Sequence, residues 1–281
     1  MIKLFTTRKD FDSYRNSLTT SNIGLVPTMG NLHDGHMSLL AEALKENDAA
    51  IITIYVNPKQ FGPNEDFDKY PRTLDADLAK ISSLHRTVAP TKEVLVFAPI
   101  SDDEVYPKGF KTNISITGFN QILEGAIRPT HFDGVSTVVY RLFKIARAKN
   151  AYFGQKDFQQ VLIIKKMVRD LELDIKINVM PIIRSSEGLA LSSRNQYLSE
   201  SQKKEALIII NTITEIKNII LSNSCPEDYV ENSLKDPRWD YIKVLDADSL
   251  DDISPESKNI AILAAFRMDS TRLIDNVVFT K

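Results

Sequence analysis

Residues 23–36 constrain this chain more than any other stretch. An apolar run, Ile23-Gly24-Leu25-Val26, is ended by Pro27 and Gly30, and residues 37–44 then carry apolar side chains at helical spacing. The pattern reads as a strand, a turn and a helix start. His33 and His36 fall where the helix begins and, three apart, share one face. The backbone N–H groups of a first turn and the positive end of the helix dipole lie there too, an arrangement suited to phosphate. A histidine pair at a helix start also serves as a cap or stands by chance on the surface, and these residues alone leave all three readings open. Gly30 and Gly35 have the glycine spacing of a P-loop, but His36 and Met37 stand where Lys and Ser/Thr belong. No cysteine or third histidine is near in sequence, so no metal ligands are assigned.

The next apolar run, residues 49–56, suits a central parallel strand, which makes 23–56 a βαβ unit with a right-handed crossover. The loop at its carboxyl end, Asn57-Pro58-Lys59-Gln60-Phe61, is where open α/β sheets place ligands. Further elements are a strand and a helix (10–18) within residues 1–22, a helix at 74–83 and a strand at 94–98. Residues 99–135 read as irregular, with a strand at 113–116. Helices at 136–148 and 158–171 and strands at 151–153 and 174–179 follow. Arg128 and His131 offer two cationic or donor groups on a loop. Gly154-Gln155-Lys156-Asp157 forms a second strand–turn–helix junction. There Gly154 allows close backbone approach, Lys156 supplies a mobile charge, and Asp157 accepts from a ribose hydroxyl. Ser192, Ser193 and Arg194 suit a flexible anion clamp.

Ser199 and Gln202 have capping-box spacing before a helix reaching 221, and strands at 241–245, 260–265 and 273–279 suggest a small antiparallel sheet. The fold class is α/β: a Rossmann-like parallel-sheet domain over 1–183, then a smaller α+β domain over 184–281 that acts as a lid. With 281 residues the chain can build real cores. A net charge of −2 gives no reason to expect nucleic acid or an anionic membrane as partner. Cys225, the single cysteine, excludes an internal disulfide and fits a reducing cytoplasm. The first residues lack the apolar core of a signal peptide, and no apolar run reaches the length of a membrane span.

Pro27-Thr28-Met29-Gly30-Asn31-Leu32-His33-Asp34-Gly35-His36 resembles the signature of the pantothenate synthetases, within the His-x-x-His nucleotidylyl-transferring superfamily. Asn57-Pro58 with Gln60-Phe61, Tyr70-Pro71-Arg72-Thr73, residues 123–135, Phe153-Gly154 with Lys156-Asp157-Phe158-Gln159-Gln160, and Ser192-Ser193-Arg194-Asn195 resemble further family segments, in the same order. Leu191 stands where the family has Met, a change that keeps volume and apolarity. The resemblance implies ATP-dependent joining of pantoate to β-alanine through pantoyl adenylate, giving pantothenate, AMP and pyrophosphate, with Mg²⁺ on the phosphates. It implies catalytic roles for His33, His36, Lys156 and Arg194. Residues 29–36, Gly154, Gln155, Lys156, Asp157, Ile183, Leu191, Ser192, Ser193 and Arg194 would bind ATP. Gln60 and Gln160 would hold pantoate with Arg128 assisting, in a homodimer. The alternatives are an adenylyltransferase of the same superfamily, or a nucleotide-binding protein without catalysis.

Overall fold

Apolar residues come in adjacent pairs along the central strands, and each pair separates onto two faces. Leu25, Ile51 and Leu95 pack with Phe11, Val139, Phe143 and Ile163, whereas their neighbours Val26, Ile52 and Val96 pack with Leu40, Ala43, Leu44 and Ile81. Burial on both faces is what a parallel sheet covered by helices requires. The computed structural model describes residues 1–63, 65 and 67–281. The chain divides into two units, residues 1–154 with 159–180, and residues 155–158 with 181–281.

The first unit contains β1 (Ile2–Phe5), α1 (Arg8–Ser17), β2 (Ile23–Thr28), α2 (Asp34–Glu46), β3 (Ala49–Ile54), α3 (Leu74–Val88), β4 (Glu93–Phe97), α4 (Glu124–Ile127), α5 (His131–Ala146), β5 (Asn150–Gly154), α6 (Phe158–Asp170, its first residue assigned to the second unit) and β6 (Lys176–Met180). Its six strands run in the order β1-β4-β3-β2-β5-β6, every neighbouring pair parallel. The chain builds outward from β2 in one direction and from β5 in the other, so the switch point lies between them. Pairing of β2 with β5 stops at Leu25↔Ala151, although β2 continues to Thr28 and β5 to Gly154. The two strands therefore part at their carboxyl ends, where doubly wound sheets bind ligands.

The second unit contains α7 (Glu200–Glu205), α8 (Leu207–Leu221), α9 (Glu227–Ser233), β7 (Trp239–Asp246), β8 (Asn259–Met268) and β9 (Thr271–Thr280), the strands forming an antiparallel sheet in that order. Ile209, Ile213, Ile216 and Ile220 line one side of α8 and pack on Ile260, Ile262, Ala264 and Phe266, alternate residues of β8.

Several elements differ from their sequence-based outlines. Helix α5 begins at His131 rather than 136, because burial of Phe132 and Val135 outweighs an uncapped start with Gly134 in its first turn. No strand forms at 113–116; the Ile114 N–H donates to the Thr137 hydroxyl at 2.9 Å instead of to a ladder. The helix expected from 199 to 221 is two helices separated at Ala206, which is fully buried. No helix among the described residues is long and apolar enough to cross a membrane.

Candidate active site

The turn after β2 is held by the backbone of β3 and by side chains of α3. Thr28 donates its hydroxyl to the Thr53 carbonyl at 2.6 Å and accepts from the Gly30 N–H at 3.2 Å. Gly30 and Asn31 both take positive φ, 85° and 48°, which directs consecutive N–H groups the same way. Those of Asn31 and Leu32 point at Asp77 on α3, whose two carboxylate oxygens accept at 3.0 and 2.7 Å. Asp77 is fully buried and also accepts from the Thr73 hydroxyl at 3.3 Å. Lys80 donates to the Leu32 carbonyl. An arc of chain without regular structure is thus fixed at both edges.

The histidines cap their own helix. His33 is the N-cap residue; its Nδ1 accepts the Gly35 N–H at 3.1 Å, and His36 Nδ1 accepts the His33 N–H at 3.3 Å. The ring centroids lie 4.1 Å apart. A ring nitrogen that accepts carries no proton, so both neutral imidazoles hold theirs on Nε2. The helix-start N–H groups expected to meet phosphate directly are thus partly spent on the rings. The rings pass on their polarity: an N–H···Nδ1 bond draws charge from the imidazole and strengthens Nε2–H as a donor. Gly35 is required by this geometry, since a Cβ there would sit 2.8 Å from His33 Cε1 and 2.9 Å from its Nδ1.

Beyond β3, Asn57 is buried and bonded through its whole amide. Its Oδ1 accepts from the Tyr106 hydroxyl at 2.8 Å and the Lys59 N–H at 3.3 Å; its Nδ2 donates to the Gly134 carbonyl and to Gln60 Oε1, both at 3.2 Å. Gln60 Nε2 in turn donates to the Met29 sulfur at 3.0 Å. Burial, together with the nearby Asp102 carboxylate, raises the Tyr106 hydroxyl, which keeps its proton to donate.

Arg128 is delivered by a strained segment, with Leu123 and Thr130 at positive φ of 48° and 70°, values that are outliers for such side chains. Gln159 fastens this segment, accepting from the Glu124 N–H at 3.0 Å and donating to the Phe119 and Ile122 carbonyls at 2.6 and 2.8 Å. Arg128 grips Glu65 bidentately at 2.7 and 2.6 Å and donates to His131 Nε2 at 3.0 Å. Burial works to raise Glu65, but the Arg128 guanidinium holds its carboxyl below the usual range. His131 donates its Nδ1–H to the Gln60 carbonyl at 2.7 Å. Burial, then the Arg128 charge, pushes its pKa down to about 4. His131 is therefore a neutral structural group rather than a cation.

In the second unit, Arg184 donates to both carboxylate oxygens of Asp275, at 2.6 and 2.9 Å, and to the Gly188 carbonyl at 3.1 Å. It thereby closes a hairpin in which Leu191 N–H meets the Ile183 carbonyl at 2.9 Å. Ser192 Oγ accepts from the Arg194 N–H at 3.3 Å and starts the short 3₁₀ turn Ser193–Tyr197. Lys156 Nζ lies 3.8 Å from its neighbour Asp157.

A family model described as pantoate-beta-alanine ligase matches residues 3–278. The chain belongs to the pantoate–β-alanine ligase family. It is 43% identical over 263 residues to a pantothenate synthetase of Acetivibrio thermocellus, covering 91% of each chain. Among solved structures, a pantothenate synthetase of Thermus thermophilus superposes with a TM-score of 0.89 at 37% identity over 99% of each chain. A pantoate–β-alanine ligase of Francisella tularensis, complexed with β,γ-ATP and β-alanine, gives 0.75 at 35% identity over 99% of this chain and 98% of that one.

Within the first unit of this ligase-family chain, His33 lies against His36 and Gln60 bonds Met29, and Arg128 reaches Gln60 through His131. Gln160 is half-buried on α6, one residue past the Gln159 that the fold consumes. Arg128 is engaged by Glu65 and His131 in this structure. A Cβ on Gly154 would meet nothing within 4 Å, so packing within the protein does not require glycine there. Lys156, Asp157, Ile183, Leu191, Ser192, Ser193 and Arg194 all belong to the second unit. Asp77, Tyr106, Asp275 and Asn276 escaped the sequence reading, and Asn57 entered it only as part of a loop motif, without its role in orienting Gln60. The one signal for Asp77 was an acid in an otherwise amphipathic helix, and nothing local distinguished the rest. No group of three or more His, Cys, Asp or Glu side chains suited to a metal occurs among the described residues.

Proposed function

We infer that the chain joins pantoate to β-alanine with ATP as the driving substrate, forming pantothenate, AMP and pyrophosphate. The observation that carries this is the family match across residues 3–278. The His33–His36 helix start, built as a double donor, supports it. In the first step a pantoate carboxylate oxygen bonds to the α-phosphorus as the bond to pyrophosphate breaks. In the second, the neutral β-alanine amine attacks the acyl carbon, AMP leaves, and the amine proton passes to solvent. Such steps ask a protein for positioning and charge stabilisation more than for covalent help.

The Nε2–H groups of His33 and His36 would donate to phosphate oxygens as charge builds, with His36 the more critical. Lys156, Ser192, Ser193 and Arg194 would hold the triphosphate and the leaving pyrophosphate. Gly154, Gln155, Asp157, Ile183 and Leu191 would line the nucleotide, and Gln60 and Gln160 would hold pantoate. Arg128 would assist only when released from Glu65. Mg²⁺ enters as part of the nucleotide substrate, an ion that takes phosphate oxygens and water more readily than a protein cage. We place the enzyme in the cytoplasm as a homodimer; the single cysteine, Cys225, is free and exposed, as a reducing compartment permits. The deciding test is pyrophosphate release from MgATP and pantoate, with and without β-alanine. Release with pantoate alone and AMP release that requires β-alanine is the expected result. Transfer of AMP to a phosphate acceptor instead would make the chain an adenylyltransferase. ATP binding without turnover would leave it a nucleotide-binding protein.

A further inference from the structure

Residues 155–158 lie in sequence inside the first unit but cluster with the second. One side chain on β9 explains much of that. Asn276 is 2% exposed and spends its whole amide on this segment: Nδ2 donates to the carbonyls of Gln155 and Lys156, each at 3.0 Å, and Oδ1 accepts from Gln155 Nε2 at 3.1 Å. Its neighbour Asp275 is 4% exposed and holds Arg184, which closes the hairpin leading into Ser192, Ser193 and Arg194. Asp275 also accepts the Asn276 N–H at 2.7 Å, which stiffens the dipeptide itself. Two consecutive residues therefore fasten two segments far apart in sequence, one carrying Lys156 and the other Arg194.

Burying Asp275 and Asn276 carries a desolvation cost that only their bonds offset. Buried polar and charged groups rarely stabilise a protein more than well-packed apolar ones would, and β9 also buries Leu273, which packs in the apolar core of this unit. What Asp275 and Asn276 supply that apolar residues could not is defined geometry for the chain they hold. We propose that Asp275 and Asn276 are positioning residues that set the spacing between Lys156 and Ser192–Arg194, and through it the grip on the triphosphate of ATP. The inference rests on the reading of Lys156 and Arg194 as triphosphate ligands.

The test uses full-length protein carrying Asn276→Leu, which keeps size but removes every amide bond, or Asp275→Asn, which keeps shape and removes the charge. Pantoate-dependent exchange of pyrophosphate into ATP reads the first half-reaction; aminolysis of pantoyl adenylate supplied preformed reads the second. A misplacement of about 1 Å costs on the order of 10²-fold in rate. Asn276→Leu should therefore raise KM for ATP and slow exchange by about 10–100-fold, while aminolysis and KM for β-alanine change by less than about threefold. Asp275→Asn should show the same split at smaller amplitude, and keeps the test decisive if the leucine variant does not fold. Equal losses in both half-reactions, or unchanged exchange in a folded variant, overturn the proposal. A parent protein with no exchange would refute the assigned reaction instead. Calorimetric ATP affinity then reads the latch alone, with roughly tenfold weakening in Asn276→Leu expected and unchanged affinity overturning it.

Discussion

Asn57 donates its side-chain N–H to Gln60 Oε1 at 3.2 Å, and this contact decides which way the Gln60 amide faces. Asn57 is itself fixed by backbone groups of one polarity each: the Lys59 N–H can only donate to it and the Gly134 carbonyl can only accept from it. With Oε1 turned to Asn57, Gln60 shows its Nε2–H side toward Met29. A glutamine that could in principle donate and accept is thereby set as a donor, suited to a carboxylate or a hydroxyl lone pair.

That polarity yields the first prediction. Asn57→Asp cannot donate to Gln60, so the Gln60 amide should rotate to donate to the new carboxylate and turn its oxygen outward. We expect kcat/KM for pantoate to fall by about 10–100-fold, the scale of a lost hydrogen bond to a charged group. Gln60→Ala and Gln60→Glu should fall in the same direction. Preference for pantoate over a deoxy analogue should narrow in all three variants, as it should in Gln160→Ala. Parent-like discrimination in Asn57→Asp would show that Gln60 polarity is not what reads the acid.

The histidine start separates capping from chemistry. His33→Asn retains a short acceptor of the kind favoured at an N-cap, so stability should hold within a few tenths of a kcal/mol. The distal donor is gone, and turnover should drop by about 10²–10³, the usual cost of one such donor. His36→Ala should slow turnover at least as much while leaving ATP binding modestly changed. Gly35→Ala would raise helix propensity by about 1 kcal/mol at an ordinary position. Here its Cβ must displace the His33 ring, so activity should fall without a gain in Tm. A Gly35→Ala enzyme that is both more stable and fully active would contradict the packing described.

The extent to which this site was legible follows from how far apart its parts lie in sequence. The βαβ unit, the parallel sheet and the small antiparallel sheet were readable because periodicity is local, as in the adjacent pairs Leu25–Val26 and Ile51–Ile52 that divide between two faces. The histidine turn was readable for the same reason. What stayed hidden are partners brought in by topology. Asp77 meets Leu32 across 45 residues and Asn276 meets Gln155 across 121, and no local pattern encodes either. Arg128 and His131 read as cationic or donor groups, and both donate here; what the sequence could not show is that burial keeps His131 neutral and that Glu65 engages Arg128.

Asp77 offers a test of the turn. Its two oxygens each accept a backbone N–H from residues 31 and 32. Asn in its place must turn its NH₂ toward one of them, leaving a buried N–H unpaired. Bonds of this kind are worth about 1.5–3 kcal/mol, so Asp77→Asn should lower unfolding stability by roughly that amount. Because the same turn aims His33, kcat should fall as well, and more than KM for β-alanine rises. Chemical denaturation with steady-state kinetics on one preparation would show both; a stable, fully active variant would remove Asp77 from the positioning of the turn.

His131 gives the fold a dependence on acid whose sign can be worked out. Burial and the Arg128 charge place its folded pKa near about 4, whereas an unfolded histidine titrates near about 6.5. Above that value neither state binds the proton and the residue contributes no pH dependence. Between the two values the unfolded chain takes up a proton that the native protein refuses. Stability therefore falls as pH drops from about 6.5 to about 4, by about 1.4 kcal/mol per unit and about 3 kcal/mol in all. Below the folded value both states are protonated and the slope vanishes. His131→Asn keeps an N–H for the Gln60 carbonyl but has nothing to titrate. Measured by urea unfolding at pH 7.5 and pH 5, the parent should lose roughly 2 kcal/mol more than this variant. Equal losses would mean that His131 takes up its proton in the folded protein as readily as in the unfolded chain, against the neutral state that its bonds to Arg128 and Gln60 require.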